Sequence, residues 1–427
     1  MAAARETTIL REETRHQIES IGQADILVGI PSFNNARTVG HVVHAVTAGL
    51  AKYFPDRRAV LVNSDGGSKD GTPDVVAGSE FDSTRTILVS HRVRTLHKVI
   101  TAYQGLPGKG SAFRTVFEIA HRVGARACAV VDSDLRSITP EWIELLLAPI
   151  MHEDYDYVCP LYSRHKYDGT ITNSIVYPLV RSMYGRQIRQ PIGGDFGFSG
   201  RLASHYLQQD VWDSDVARFG IDIWMTTTAL MGGFRVCQSY LGAKIHDAKD
   251  PGADLSAMLV QVTGSLFQQL EAHEAFWRDI RGSEPVPEFG FKYEVGLEPI
   301  PVNTMRMVHT FEQGVKDFEP LYREFMRPTT QQALASLAGQ PPESFQMPVD
   351  AWVHTVFDYV LAYHRRRLPA EHLLKSLTPL YLGRTASWVN QARDCGSREV
   401  ETELDALCER FEVLKPELVE LWRTGRS

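Results

Sequence analysis

Ala127-Cys128-Ala129-Val130-Val131-Asp132-Ser133-Asp134 is an apolar run that stops abruptly at two acids one residue apart. Small and β-branched residues in an unbroken run, bounded by polar ones, predict a strand buried on both faces. The acids then stand at the C-terminal end of the strand, where open α/β sheets place their ligands. Alternate residues of a strand share a face, so Asp132 and Asp134 are placed to converge on one cation. A hard divalent ion holding a diphosphate fits them, because such ions take oxygen ligands. An acidic strand-end loop explains the same residues equally well until the rest of the chain is read.

Upstream, Ile26–Ile30, Ala59–Val62 and Thr86–Val89 read as further strands. Polar clusters follow the first two directly: Pro31-Ser32-Phe33-Asn34-Asn35 and Asn63-Ser64-Asp65-Gly66-Gly67-Ser68. Thr38 is placed to cap a helix whose Val39, Val42, Val43, Val46 and Leu50 form one face. Gly105-Leu106-Pro107-Gly108-Lys109-Gly110 feeds a second helix, with Phe113, Val116, Phe117 and Ile119 inward. Strand, turn, helix, strand, repeated, predicts an α/β fold with a mostly parallel sheet. Its polar clusters share one sheet edge, a nucleotide-binding layout.

Gly108-Lys109-Gly110 lacks the spacing of an NTPase phosphate loop, and no Gly-x-Gly-x-x-Gly follows the first strand. A lysine between two glycines can approach a nucleotide closely; a helix-entry turn with a solvated lysine fits the same residues. Downstream, Thr139-Pro140 starts a helix with a capping residue and a first-turn proline. Tyr155–Tyr162 reads as a strand, and Asp168-Gly169-Thr170-Ile171-Thr172 as a turn into a helix. Gln190-Pro191-Ile192-Gly193-Gly194-Asp195-Phe196 reads as a tight loop that glycine lets hug a ligand. Gly220-Ile221-Asp222 opens a helix with a lone acid among apolar residues, and Arg235–Ile245 is a strand ending in His246-Asp247. A single histidine there is ordinarily structural, but with Asp-x-Asp upstream it can complete a metal site.

The chain has 427 residues, enough for two or three domains. A net charge of −7 argues against a nucleic-acid binder of the basic-patch kind. No apolar run approaches the ~20 residues that span a bilayer, and the charged first 23 residues lack the apolar core of a signal peptide. The five scattered cysteines have no metal or redox spacing, which fits free thiols in a cytoplasmic protein. The expected division is a helical extension over 1–24, an α/β domain over 25–280 and a helical domain over 285–427. Prolines in Glu284-Pro285-Val286-Pro287 and Glu298-Pro299-Ile300-Pro301 mark the connection. Beyond it, Trp352, Val353, Val356, Phe357 and Val360, then Leu373, Leu374, Leu377 and Leu380, then Leu404, Leu407 and Phe411 recur at helical spacing.

The clusters, with Gly242-Ala243-Lys244-Ile245-His246, occur in the order of a nucleotide-sugar glycosyltransferase of the GT-A fold. More narrowly, residues 25–260 resemble the retaining enzymes that make glucosylglycerate or mannosylglycerate, or their 3-phosphoglycerate counterparts. That resemblance implies a nucleoside pocket at Pro31, Ser32, Phe33, Asn35, Ser64 and Asp65, with Gly108 and Ser133 also on the donor. Lys109 would reach the base or diphosphate, and Asp132 the ribose side; Asp134 and His246 would hold Mg2+ or Mn2+ as a Lewis acid on the departing diphosphate. Asp195 would hold sugar hydroxyls, Asp222 would lie close to the acceptor hydroxyl or the sugar, and the Ile192 carbonyl would assist front-face attack. Gly169, Thr170, Thr172, Gly193 and Gly194 would face the acceptor.

Two departures stand out. The phosphoglycerate-using relatives carry Gly-Arg-x-Thr, where this chain has Gly169-Thr170-Ile171-Thr172, which disfavours a doubly charged acceptor and favours D-glycerate; Arg164 and Lys166 are near enough to compensate. Asp195 stands where relatives usually have glutamate, which leaves the donor sugar open. The family tendency and the helical tail favour a homodimer. Competing readings are an inverting transferase with a polysaccharide or lipid acceptor, and a nucleotide-sugar-binding scaffold. The first commonly carries Gln-x-x-Arg-Trp, which is absent here.

Overall fold

A computed structural model describes residues 8–79, 96–103, 106–218, 220–245, 255–292, 300 and 302–424. Its strands in chain order are β1 (Ile26–Ser32), β2 (Ala59–Asp65), β3 (Leu96–Ala102), β4 (Ala127–Val130), β5 (Tyr157–Ser163), β6 (Arg186–Gln187), β7 (Phe196–Ser199), β8 (Val236–Ala243), β9 (Glu284–Pro285) and β10 (Glu288–Phe289). The chain divides into two compact units. One takes Met1–Ser163, Ile192–Asp247 and Val286–Val295; the other takes Arg164–Pro191, Ala248–Pro285 and Gly296–Ser427.

Among the described residues of the first unit, eight strands form one sheet in the order β10-β8-β5-β7-β4-β1-β2-β3. All neighbours are parallel except β7, which runs antiparallel between β4 and β5. β1, β2 and β4 are buried along their whole length, as helices on both faces require. On one face Ile26, Val28 and Ile30 pack with Val42 and Val46 of helix Val39–Tyr53 and with Trp142 and Leu146 of helix Pro140–Glu153. On the other face lies helix Lys109–Arg122, so close that a Cβ on Gly29 would stand 2.7 Å from a Val116 methyl. Helix Glu12–Ile21 joins the edge strand β3 through a 3.0 Å hydrogen bond between the Thr14 and Thr101 hydroxyls.

Several elements differ from the sequence expectation. β2 continues through Asn63, Ser64 and Asp65, which pair with Ile30, Pro31 and Ser32 in the ladder and so are strand residues. The strand expected at Thr86–Val89 lies outside the described residues, and the third strand of the sheet is Leu96–Ala102. Its His97 and Lys98 break the apolar pattern, as suits the outermost strand among the described residues. β7 was hidden because four residues after a Gly-Gly loop carry little periodicity. Thr38 does not cap the following helix. Its backbone is already helical (φ −117°, ψ −32°) where a capping residue is extended, and its hydroxyl donates to the Ser133 carbonyl at 2.8 Å.

The second unit is mainly helical, with its longest helices among the described residues at Ser256–Ala272, Ala370–Gln391 and Ser397–Thr424, helix Val349–His364 beside them, and a small parallel pair, β6 with β9. The apolar stripes named above are buried. Of the two proline connectors, Glu284-Pro285 supplies β9; the other lies outside the described residues except for Ile300. All five cysteines are free thiols. Among the described residues, no helix is long and apolar enough to cross a membrane.

Lys415 sits inside this unit with 2 % exposure, donating to the carbonyls of Ser182 (2.8 Å) and Ile280 (3.0 Å). Burial, helped by Arg281 and opposed by Glu412 and Asp279, pushes its ammonium down to about 7. An unfolded lysine holds its proton to about 10.4. Between those values the unfolded chain binds more protons, so this residue makes stability rise with pH; below 7 its cost is at its maximum. Unfolding of wild type against Lys415→Met should therefore show the wild type losing about 2 kcal/mol relative to the variant on going from pH 9 to pH 7. A pH-independent difference would sink this account.

Candidate active site

The C-terminal ends of β1, β2 and β4 meet at one edge of the sheet, and their loops are stitched together. Ser32 and Ser68 hydroxyls donate to Asp65 Oδ1, and the Gly67 and Ser68 amides donate to Oδ2, so Asp65 organises its own loop. Asn35 Oδ1 accepts from the Ser133 hydroxyl at 2.8 Å, tying the loop after β1 to the Asp-x-Asp turn. Pro31 is buried in β1, while Phe33 stands 61 % exposed beside Gly66. The Ser64 hydroxyl and Asn63 Oδ1 are buried with no hydrogen-bond partner.

The centre of the site is a cluster of three carboxylates and two ammoniums. Asp132, just past β4, takes Lys109 Nζ at 2.8 Å on Oδ1 and Lys244 Nζ at 2.8 Å on Oδ2. Lys244 also donates to Asp195 Oδ2 and to the Gly193 carbonyl, each at 2.8 Å. Asp195 is fully buried: its Oδ1 accepts from the Asp132 amide at 2.8 Å and its Oδ2 from the Tyr162 hydroxyl. Lys109 bridges on to Asp222, 3.3 Å from Oδ1.

Topology explains the meeting. β7 lies antiparallel beside β4 with Val130 opposite Phe196, so Asp195 arrives next to Asp132 although 63 residues separate them. Lys244 comes from the end of β8, beyond β5. The β5–β8 register slips between Leu161 and Tyr162, leaving Leu241 unpaired, and Gly242 adopts φ +78°. One extra residue reverses which face the following side chains take, so this bulge aims Lys244 at the cluster. Gly194, at φ +87°, has no room for a side chain: a Cβ would lie 2.3 Å from Asp132 Oδ2 and 2.9 Å from Lys244 Nζ.

The charges are strongly coupled. Burial opposes the Lys109 charge, but Asp132 and Asp222 outweigh it and hold the ammonium well above its usual value. Burial likewise opposes the Asp132 carboxylate, yet Lys109 and Lys244 hold it far below the usual carboxylate range. At Asp222 burial wins over Lys109, with Asp132 adding to it, and its carboxyl is raised. Asp222 thus holds its proton more readily than Asp132 does.

The expected site residues are distributed as follows. Lys109, Asp132, Gly193, Gly194, Asp195 and Asp222 come together. The solvated-lysine alternative for Lys109 does not hold, since its side chain is 18 % exposed and doubly paired. The flanking glycines are packed against the chain: a Cβ on Gly108 would meet the Ala217 carbonyl at 2.6 Å, and one on Gly110 the Val216 carbonyl at 1.9 Å. Ile192 is half-buried at the start of the Gly-Gly loop. Asp134 is half-buried on the turn after Asp132; the strand ends at Val130, so the two acids do not alternate on one strand face. His246 lies outside the described residues, as does Gly105. Among the described residues, no three His, Cys, Asp or Glu side chains group as a metal site.

Gly169, Thr170 and Thr172 belong to the helical unit. The Thr170 hydroxyl is 2.5 Å from that of Tyr381, and Thr172 is buried. Arg164 lies 3.4 Å from Asp168, and Lys166 donates to the Arg393 carbonyl at 2.6 Å, so both candidate substitutes for the missing arginine are engaged. Lys244 and Tyr162 carry no role in the sequence reading. Lys244 was visible two residues before His246, but only the bulge brings it to the acids.

Residues 27–202 match the model for glycosyl transferase family 2. That span runs from β1 into the helix after β7, covering the Asp-x-Asp turn and the Gly-Gly-Asp loop but not Asp222 or Lys244. No curated protein matches the chain. Among solved structures, glucosyl-3-phosphoglycerate synthase from Mycobacterium tuberculosis with Mn2+, UDP and phosphoglyceric acid is similar at 19 % identity, over 60 % of this chain and 82 % of that one, with a TM-score of 0.42. The same enzyme with Mn2+, UDP-glucose and glycerol 3-phosphate is similar at 20 % identity, over 63 % and 86 %, with a TM-score of 0.43. The mostly parallel sheet with one antiparallel strand and flanking helices is GT-A-like.

Proposed function

We propose that this chain is a divalent-metal-dependent glycosyltransferase that moves glucose or mannose from a nucleoside diphosphate sugar to D-glycerate. The observation that carries the reading is the Asp132–Lys109–Asp222 and Lys244–Asp195 cluster at the C-terminal edge of a sheet much of which lies within residues 27–202, the span that matches glycosyl transferase family 2. Phe33, Ser64 with its unpartnered hydroxyl, and Asn35 would line the nucleoside side.

The charge count supports a metal. Three carboxylates and two ammoniums leave a net −1, which does not welcome a diphosphate without further positive charge. Magnesium at a nucleotide site needs only one or two carboxylates besides the phosphates, and Asp134 offers one beside the cluster. With His246 it would hold the ion, whose chemistry is to stabilise the departing diphosphate. Lys109 and Lys244 would position the donor's charged end, and Asp222 would hold or move the acceptor's proton. The Ile192 carbonyl and the Gly193-Gly194 turn would border the reacting carbon. The preference for glycerate over 3-phosphoglycerate is supported by Thr170 in place of an arginine and by the commitments of Arg164 and Lys166.

The test is a matrix of UDP-glucose, GDP-glucose, GDP-mannose and ADP-glucose against D-glycerate and 3-phosphoglycerate, with Mg2+ and with EDTA. Magnesium-dependent release of nucleoside diphosphate with D-glycerate is expected, and Asp134→Ala should cut it by at least about a hundredfold. Full activity of Asp134→Ala, or of wild type in EDTA, would overturn the metal assignment. Turnover with 3-phosphoglycerate alone would keep the reaction class and reverse the acceptor preference.

A further inference from the structure

The backbone ladder of the sheet stops short of the active site, and one buried carboxylate continues it. β7 pairs with β4 as far as Val130 and Phe196, and with β5 only at Tyr157 with Phe198 and Val158 with Gly197. Beyond those rungs, Asp195 reaches both neighbouring strands with its side chain. Its Oδ1 accepts from the Asp132 amide, just past β4, at 2.8 Å, and its Oδ2 accepts from the Tyr162 hydroxyl on β5. Lys244 Nζ, from the end of β8, adds a 2.8 Å bond to the same Oδ2.

That leaves the carboxylate little to offer a ligand. Each carboxylate oxygen accepts about two hydrogen bonds, and Tyr162 and Lys244 fill Oδ2. Oδ1 keeps an acceptor site, but Asp195 has no exposed surface. A sugar hydroxyl would have to displace one of these partners to meet it. Tyr162 is fixed in turn: its ring packs on Trp142 with centroids 5.7 Å apart, and Lys244 Nζ stands 5.1 Å from its centroid. Its hydroxyl also lies 3.2 Å from the Gly193 carbonyl, which Lys244 bonds at 2.8 Å. Gly194 follows, so close to Asp132 that a Cβ would stand 2.3 Å from its Oδ2. Tyr162, Asp195 and Lys244 thus fix the Gly-Gly turn and the Asp-x-Asp turn relative to each other.

We propose that Tyr162 and Asp195 are positioning residues for the transfer reaction: Tyr162 acts through Asp195, Asp195 acts through the Asp132 amide, and neither binds the sugar. The hydroxyls of the donor sugar are then held by other groups of the site. This role rests on the glycosyltransferase reading above and departs from the sugar-binding role that the family resemblance implies for Asp195.

The test combines turnover, well below the unfolding midpoint of each variant, with calorimetric affinities for a donor and for its bare nucleoside diphosphate: UDP-glucose against UDP, GDP-mannose against GDP, or ADP-glucose against ADP. Tyr162→Phe keeps the packed ring and loses only the hydroxyl. Its kcat should fall about tenfold, with the ratio of the two affinities within about twofold of wild type. Asp195→Asn turns one acceptor into a donor that faces other donors, and should cost about a hundredfold in kcat at the same unchanged ratio. Because the tyrosine works through the acid, adding Tyr162→Phe to Asp195→Asn should cost nothing further. A sugar ligand behaves otherwise: Asp195→Asn would weaken the donor and leave the bare diphosphate as it was, and the two substitutions would multiply. Either result, or a wild-type kcat in Tyr162→Phe, overturns the positioning role. Tyr162→Phe alone decides the matter should the asparagine variant misfold. A wild type silent with every donor would instead sink the transferase reading, and this role with it.

Discussion

Lys244→Met should lower stability by about 3–5 kcal/mol and cut turnover by at least about a thousandfold. The lysine is 4 % exposed at its side chain and holds Asp132, the wholly buried Asp195 and the Gly193 carbonyl, each at 2.8 Å. Methionine matches its volume but returns none of these bonds, and the three carboxylates of the cluster then have Lys109 as their remaining cation. Breaking a buried pair by removing one partner costs more than the pair contributes, because the other charge stays behind unpaired. Lys244→Arg keeps the charge with a wider fork and should fall between the two. Adding Asp195→Asn to the methionine variant removes the stranded charge, so denaturant midpoints should recover while turnover does not. A methionine variant with wild-type stability would show that the cluster is not coupled as drawn; one with wild-type turnover would take Lys244 out of the site.

Gly110→Ala should displace Lys109 and cost about a hundredfold in kcat/KM. The added Cβ would sit 1.9 Å from the Val216 carbonyl oxygen and 2.7 Å from Ala217 backbone atoms. Those are main-chain atoms of the turn Asp215–Ala217, and the Gly110 amide itself donates to the Arg218 carbonyl at 3.1 Å. Neither side can yield by rotating a side chain, so the start of helix Lys109–Arg122 must move. Lys109 is its first residue, and an ångström of movement breaks the 2.8 Å contact to Asp132 and the 3.3 Å contact to Asp222. Gly78→Ala is the control, since a Cβ there meets nothing within 4 Å at ordinary φ. Equal activity in the two variants would mean that the Gly-Lys-Gly element does not position Lys109.

The alternating apolar runs and the polar clusters that end them were enough to read a mostly parallel sheet with one functional edge. They also marked Lys109, Asp132, Asp195 and Asp222, because charged residues next to buried strands and glycine turns are conspicuous in one dimension. The positions of the helices followed from periodicity, which depends only on neighbours along the chain. What periodicity cannot carry is pairing between distant segments. β7 was four residues long and antiparallel, so nothing local announced that it would bring Asp195 beside Asp132. The bulge at Leu161 and Tyr162 shifts β8 by one residue, and strict alternation would have misread where Lys244 points. Nothing local announced that the chain at 216–218 packs against Gly108 and Gly110 and leaves no room for a side chain there. Local chemistry is written in the order of residues, whereas charge compensation and close packing depend on which surfaces meet, and only the folded chain decides that.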